Sequence, residues 1–248
     1  MLETRYKSPE ELRYSIGEGK KVAIISCGAC ANLCDTGGVR GMNFIKGMVE
    51  NWGNHVVAAK TAIACCPEPI MKEVQQRALK NSGAEVLVVI SCSAGVKTAV
   101  LCNPGIPVVA ACDTLGPSSL IHQDGPVDGW VANSLCQSCG HCVISHTAGI
   151  CPVVACPSKS KYGPCKKAPQ DGAQCAVDPS RSCVWKEIES RGADLQALQQ
   201  LKLMHEDPEI TRIPPLEAKS SGPFARWWVG VFSRLTPGRF LEIVHWAR

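Results

Sequence analysis

The chain has 248 residues, of which 45% are hydrophobic and 19% charged. A chain of this size buries a substantial core, so it needs no cross-links to fold as one or two domains. The net charge is only +4, and no basic run interleaved with aromatic residues occurs before the last thirty residues. We therefore predict no nucleic-acid partner.

Sixteen cysteines are far more than a protein of this length usually carries. They would suit a disulfide framework in an oxidising compartment. The N-terminal sequence MLETRYKSPEELRYSIGEGKK, however, lacks the apolar core and cleavage site of a secretory signal, and no stretch is apolar enough to span a bilayer. The sequence therefore predicts a reduced cytoplasmic protein whose clustered cysteines bind metal or act in redox chemistry.

Short β-branched runs alternate with helical patterns in the first part of the chain, which is typical of a parallel sheet covered by helices. The predicted strands are 22–25, 55–59, 86–90 and 107–110, and the predicted helices are 39–52, 69–79 and 95–101. Continuous apolar character makes 86–90 the central buried strand. We predict a small flavodoxin-like α/β domain over residues 1–128. No G-x-G-x-x-G motif follows a strand, so dinucleotide binding is not indicated.

Cysteines follow three of these strands. Cys27, Cys30 and Cys34 come after the first strand, Cys66 after the second and Cys92 after the third. Ligands bind at the carboxyl edge of open parallel sheets, because the loops diverge there and leave a crevice. A [4Fe-4S] cluster needs four thiolates. The sequence therefore predicts one cluster at this edge, with five candidate ligands.

One of these five thiols is surplus, and the sequence does not decide which. Cys27 is a candidate for the structural one, because it lies nearest to its strand. We interpret Cys65, Cys102 and Cys112 as packing residues, since cysteine is often buried as a small apolar side chain. Asp113, together with His122 and Asp124 further along, is interpreted as a polar loop residue.

Cysteine, proline and glycine dominate from Gly129 to Trp185, where regular periodicity fades, and we place a second domain at 129–205. We predict an irregular domain whose folding depends on bound metal. Its eight cysteines are Cys136, Cys139, Cys142, Cys151, Cys156, Cys165, Cys175 and Cys183.

The run C-x2-C-x2-C at Cys136, Cys139 and Cys142 is typical of ferredoxin-type clusters, which a remote Cys-Pro thiolate completes. Either Cys151 or Cys156 supplies that fourth ligand. The other Cys-Pro thiolate would join Cys165, Cys175 and Cys183 to hold a second cluster or a structural zinc, and the spacing leaves both open. With eight thiols at hand, His141 and His146 are not needed as ligands.

The cysteine motifs also carry a family resemblance. The segments CQSCGHCVISHTAGICPVVACPSKSKYGPC and AQCAVDPSRSCVW resemble the cysteine-rich domain of the MetV-type iron-sulfur subunit of bacterial methylenetetrahydrofolate reductases. CGACANLC, CCPEP and SCSAGVKT are similar to the first half of that family, so the resemblance covers roughly residues 5 to 200. One departure is GPCKK, where the family usually has glycines after the cysteine.

The resemblance implies a subunit without its own active site that relays electrons to or from a flavin-containing partner. That partner would bind the folate and reduce methylene- to methyltetrahydrofolate. The implied cofactors are at least two [4Fe-4S] clusters on this chain, a structural zinc in place of one being an open alternative, and a flavin on the partner. Further redox subunits or a ferredoxin are additional partners that remain open.

Residues 206–248 form a linker and a tail rich in Trp and Arg. Trp and Arg are favoured anchors at protein interfaces, so we expect the tail to dock on the flavin subunit. Folding back on its own domain and contact with a membrane surface are the alternatives. A different hypothesis for the whole chain is a zinc-stabilised interaction module with no redox role.

Overall fold

The computed structural model describes residues 2–117, 136–167 and 174–206. The predicted tail after Glu206 lies outside the described residues, as do His122 and Asp124. The elements are, in chain order, β1 (Leu2–Tyr6), α1 (Pro9–Ile16), β2 (Lys21–Cys27), α2 (Cys30–Leu33), α3 (Gly38–Asn51), β3 (His55–Ala62), α4 (Glu68–Leu79), β4 (Val86–Ile90), α5 (Ser93–Leu101), β5 (Val108–Ala110), β6 (Cys112–Pro117), α6 (Pro152–Ala155), α7 (Val184–Ser190) and α8 (Leu195–Glu206).

Four strands form a parallel sheet in the order β3-β2-β4-β5. All five residues of β4 are buried, because the strand lies inside the sheet with helices on both faces. Every strand and helix expected from the sequence is present, with each end within three residues of its predicted place. The prediction of a parallel α/β layer is therefore confirmed, and the strand order is the one found in flavodoxin-like sheets.

Alternate residues of the sheet point into two separate cores. Ile25 and Val89 face one core, which α4 and α5 cover, whereas Ile24 and Val88 face the other, which α1 and α3 cover. Each fully buried aliphatic side chain of this kind stabilises the fold by about 1.5–3 kcal/mol. The two cores fix the sheet rigidly, so the loops at its carboxyl edge start from defined positions.

An antiparallel pair of strands was not predicted. β1 pairs with β6, and Tyr6 lies opposite Cys112. Ser8 then caps α1 by accepting the N–H of Glu11 at 3.1 Å. Serine at the cap followed by proline in the first turn is a helix-start signal that the sequence did contain. Together these elements bring the first residues of the chain against the end of the sheet.

The described part of the cysteine-rich region contains three helices and a small apolar core of its own. Trp185 is its largest fully buried side chain, and it packs with Ile188, Leu198 and Leu201. The indole N–H of Trp185 donates to the carbonyl oxygen of Ser160 at 3.0 Å. The expectation of an irregular domain was therefore too simple, since part of this region folds by ordinary hydrophobic burial.

The two regions pack against each other. Ile144 of the cysteine-rich region is buried in the same core as the α4 and α5 face of the sheet, and Cys142 and Cys151 pack at its edge. The contact between the two regions therefore includes two of the cysteines that are expected to bind metal. Among the described helices, none combines the length and apolar character required to cross a membrane.

Candidate metal-binding sites

Four cysteines lie at the carboxyl edge of the parallel sheet. Cys27 ends β2, Cys30 begins α2, Cys66 follows β3 and Cys92 directly precedes α5. Because β2, β3 and β4 are parallel, the segments that follow them leave the sheet at the same edge. We call these four residues the sheet-edge group.

The thiols of the sheet-edge group lie within electrostatic range of one another. Burial, with repulsion from Cys27 and Cys30, raises the pKa of Cys66 to about 11. Burial and repulsion from three members of the group raise the pKa of Cys92 to about 12, although the Gly95 N–H donates to its sulfur. A bound cation or cluster relieves such repulsion between thiolates. Cys92 is buried and Cys66 exposed, so the group reaches from the interior to the surface.

Cys27 is the member whose thiolate is best stabilised. A hydrogen bond from the Cys65 thiol, aided by the N–H groups of Ala29 and Ala31 and opposed by burial, lowers the pKa of Cys27 to about 6. The same hydrogen bond and burial raise the pKa of Cys65 well above its usual value. Cys65 therefore stays a thiol that donates to Cys27, which goes beyond the packing role expected for it.

Cys34 forms hydrogen bonds with Thr4 of β1. Burial raises its pKa, whereas the backbone and the hydroxyl of Thr4 form hydrogen bonds with its thiol and lower that pKa. Repulsion from Cys30 and Glu3 adds to the rise. The structure thus places Cys34 beside β1, and it places Cys27, the expected structural cysteine, among the other three thiols.

The remaining cysteines of the α/β region lie apart from these four. Cys112 is buried in the core under α1 and α3, and burial raises its pKa. Cys102 is half-buried at the C-terminal end of α5. The positions of both agree with the packing role expected for them.

A second group of four cysteines lines one cavity. Its members, which we call the cavity group, are Cys136, Cys139, Cys142 and Cys151. The cavity volume is about 20 Å³, and nearly all of the surface that its wall exposes is apolar. Ser93 of α5 and Thr114 of β6 complete the wall on the side of the sheet. The α/β region therefore takes part in this site as well.

The cavity distinguishes between the two Cys-Pro cysteines. Cys151 lines it, whereas Cys156 is buried in the apolar core around Trp185. The short helix α6 begins after Cys151 and ends before Cys156, which separates the two thiols. Of the two alternatives left open by the sequence, the structure groups Cys151 with the C-x2-C-x2-C run.

Backbone N–H groups point at the sulfurs of the cavity group. Ser138 N–H donates to the Cys136 sulfur at 3.2 Å. Burial raises the pKa of Cys142 to about 12, opposed by the charge of Lys7 and by the N–H of Ile144. Burial also raises the pKa of Cys151, opposed by the N–H groups of α6. Such N–H donors stabilise thiolates and the negative charge of a cluster.

A buried lysine joins the first residues of the chain to the cavity group. Lys7 Nζ donates to Glu11 Oε1 at 2.7 Å, to Asp113 Oδ1 at 2.8 Å and to the Cys142 carbonyl oxygen at 2.8 Å. Asp113 Oδ1 also accepts the Cys142 N–H at 2.7 Å. Burial disfavours the charge on Lys7, but the attraction to the carboxylates of Asp113 and Glu11 is stronger and raises the pKa of Lys7. Asp113 is thus a buried partner on β6, which corrects its interpretation as a polar loop residue.

The same network continues to the last described helix. His205 Nε2 lies 3.0 Å from Glu11 Oε2, and His205 Nδ1 lies 2.8 Å from the Tyr162 hydroxyl. The His205 ring also packs on His141, with ring centroids 4.6 Å apart. Burial raises the pKa of Glu11, but Lys7 and His205 outweigh it and lower that pKa to about 2. Sequence reasoning missed Lys7 and Glu11, although their spacing of four residues is a recognised ion-pair signal.

His146 is half-buried beside α1, with Nε2 3.3 Å from the Ser15 hydroxyl. Burial lowers its pKa from 6.5 to about 4. The unfolded chain therefore binds a proton that the folded chain excludes, and stability falls as pH drops below 6.5. We expect a loss of about 2 kcal/mol between pH 7.5 and pH 5, measured by urea unfolding.

In His146→Gln the contribution of His146 to this pH dependence should disappear, whereas His141, whose pKa is also lowered by burial to about 4, should still contribute. The matched control is His55→Gln at the exposed start of β3, which should keep the dependence of the parent protein. Equal slopes of unfolding free energy against pH in both variants would show that His146 does not cause the loss of stability at low pH.

The last four cysteines lie around the core of the cysteine-rich region. Cys156 and Cys183 pack in that core, Cys175 is buried and Cys165 is half-buried. An antiparallel bridge between Gln174 and Ser182 ties the backbone next to Cys175 to that next to Cys183. The Arg181 guanidinium donates to the carbonyl oxygen of Ala155, next to Cys156.

Within residues 2–117, 136–167 and 174–206, no three His, Cys, Asp or Glu side chains converge on a point that fits one metal ion. A single zinc ion holds its ligands at about 2.0–2.3 Å. A [4Fe-4S] cluster takes its four thiolates at separate iron atoms, so those sulfurs stand farther apart. The observation concerns single ions, and both thiol groups remain candidate ligand sets for a cluster.

Comparison with known proteins relates one part of the chain to a family. No curated protein and no solved structure matches the chain. Residues 121–211, which include all eight cysteines of the second region, match the family model described as "Methylene-tetrahydrofolate reductase C terminal". The cysteine-rich region of this protein is therefore similar to the family that this model describes.

Proposed function

We propose that this chain is an iron-sulfur electron-transfer subunit. Its partner would be a flavin-containing subunit that reduces methylenetetrahydrofolate to methyltetrahydrofolate. The family match of residues 121–211 supports the association with that reductase. The redox role is supported by one structural observation, namely two separate groups of four cysteines on a single small chain.

Each group fits the ligand requirement of a [4Fe-4S] cluster. The sheet-edge group supplies four thiols from three loops, and the cavity group supplies three from one run and a fourth from Cys151. When bound, such clusters carry single electrons. Folding alone needs one metal site at most, whereas a relay needs several, so two sites on this chain favour a relay.

The residues around the two groups have different tasks. At the sheet edge, Cys65 and the N–H groups of α2 direct hydrogen bonds at Cys27, and Cys66 reaches the surface. In the cavity, Lys7 and Asp113 hold the backbone of Cys142 from both sides. Each group also has one exposed cysteine, Cys66 at the sheet edge and Cys139 in the cavity, so a partner's flavin can approach either group.

A zinc-stabilised module without a redox role is the second candidate function. The observation that favours it is the burial of Cys156 and Cys183 in the core of the cysteine-rich region. A metal held there together with Cys165 and Cys175 would tie the surrounding loops to α7. Such a structural site and a redox role for the other two groups are compatible with each other.

The test is anaerobic purification of the full chain, followed by measurement of its visible absorption, iron and acid-labile sulfide. We expect a brown protein that dithionite bleaches. Cys30→Ser and Cys139→Ser should each lose about four iron atoms per chain, because each removes a ligand of one cluster. Cys34→Ser is the matched control, and we expect it to retain the iron of the parent protein.

Two outcomes would overturn the proposal. A colourless protein that contains only zinc would support the scaffold function. An iron loss in Cys34→Ser as large as in Cys30→Ser would show that the sheet-edge group has been assigned wrongly.

A further inference from the structure

The side chain of Ser93 is buried without a partner. Ser93 is 4% exposed, and its hydroxyl makes no hydrogen bond with any described residue. Its backbone N–H, in contrast, donates to the Thr114 hydroxyl oxygen at 2.9 Å. A buried hydroxyl without a partner is costly, and such a group in a folded protein calls for an explanation.

The position of Ser93 supplies that explanation. Ser93 lines the same cavity as the four cysteines of the cavity group. A hydroxyl is both a donor and an acceptor, and sulfur is an acceptor. Thr114, which already holds the Ser93 backbone, and the polar residues Gln137, His141 and Lys161 also line the cavity, but nearly all of the surface exposed in it is apolar.

Ser93 also stands between the two thiol groups. It is the first residue of α5, a helix of nine residues, and Cys92 of the sheet-edge group directly precedes it. One peptide unit therefore joins a candidate ligand of one site to the wall of the other. The N-terminal end of α5 carries the positive end of the helix dipole, which favours negative charge in its vicinity.

We infer that the Ser93 hydroxyl donates a hydrogen bond to a sulfur of the cluster held by the cavity group and raises the reduction potential of that cluster. The inference rests on the proposed function, since it requires a cluster in the cavity. Reduction adds negative charge to the cluster. A hydrogen bond to a sulfur stabilises the reduced form more than the oxidised form, so the potential rises.

The experiment is a redox titration of the anaerobic full chain, followed by electron paramagnetic resonance. The signal of the sheet-edge cluster is identified in Cys139→Ser, which lacks the other cluster. In Ser93→Ala, we expect the ratio of reduced to oxidised cavity cluster at a fixed potential to fall three- to tenfold. Tenfold corresponds to about 59 mV for one electron. Ser93→Thr, which keeps a hydroxyl, should restore most of the potential.

Two controls distinguish a failure of this inference from a failure of the proposed function. Ser145→Ala removes another buried, unpartnered hydroxyl of a residue that does not line the cavity, and it should leave both potentials unchanged. The signal of the sheet-edge cluster should not shift in Ser93→Ala. Iron and sulfide contents equal to those of the parent, with an unchanged potential, would overturn the role of Ser93. Absence of any cluster from the parent protein would instead overturn the proposed function.

Discussion

Lys7→Met is expected to lower the free energy of unfolding by about 3–5 kcal/mol, because it leaves two buried carboxylates without their cation. Glu11 and Asp113 are each 3% exposed, and both accept from the Lys7 ammonium group. Methionine has a similar length and fills the same space, so the loss reports the charge and its hydrogen bonds rather than a cavity. The apparent melting temperature should fall by about 6–20 °C.

The substitution should also affect the cavity group. Lys7 holds the carbonyl oxygen of Cys142, and through Asp113 it holds the N–H of the same residue. We therefore expect Lys7→Met to lose iron from the cavity site before it loses iron from the sheet edge.

Lys46→Met is the matched control for this prediction. Lys46 pairs with Glu50 on the surface of α3, where both side chains are more than 40% exposed. Exposed ion pairs of this kind contribute about 0–1 kcal/mol. A similar loss of stability in both variants would show that the buried network around Lys7 does not stabilise the fold.

The parallel sheet could be predicted because its signals are local. The five consecutive apolar residues Val86–Ile90 identify a strand buried on both faces, and the spacing of Ile45 and Val49 identifies a helix that packs on the sheet. Cysteines that follow strands in sequence must also follow them in space. The approach of Cys27, Cys66 and Cys92 to one edge was therefore contained in the chain order alone.

The ligand sets could not be resolved in this way, because spacing does not fix the direction of a side chain. Cys34 follows Cys30 by one helical turn, yet the helix and β1 turn it toward Thr4. Cys151 and Cys156 are both followed by proline, and only the folded chain shows that α6 directs one toward the cavity and the other into a core.

Contacts between distant parts of the chain could not be predicted from the sequence either. Lys7 and Asp113 are 106 positions apart, and nothing in the short sequence around Lys7 indicates that its charge is buried. β1 and β6 are separated by the whole parallel sheet. A strand whose partner lies so far along the chain has a weak local signal, because its stability comes from pairing rather than propensity.

Gly37→Ala should disrupt the sheet-edge group, because a methyl group at this position has no space. Its carbon would collide with the carbonyl oxygen of Cys27, and it would lie 2.7 Å from the Asn32 nitrogen and 2.8 Å from the Ala31 methyl group. The first two contacts are with backbone, which cannot rotate aside. Overpacking of this kind costs about 1–3 kcal/mol or more. We expect a lower melting temperature and loss of iron from the sheet edge.

Gly47→Ala on α3 is the control, and we expect it to stabilise the protein rather than destabilise it. No heavy atom lies within 4 Å of the added methyl group, and alanine is the better residue inside a helix. We expect Gly47→Ala to raise the free energy of unfolding by about 0.5–1 kcal/mol and to leave the iron content unchanged. Both substitutions add the same methyl group, and the two positions are ten residues apart. The difference in stability and iron content between the two variants therefore reports the close approach of the Gly37 turn to Cys27. Normal iron content in Gly37→Ala would contradict this prediction. It would show that the turn can move without displacing Cys27, or that the sheet-edge site tolerates the displacement of this ligand.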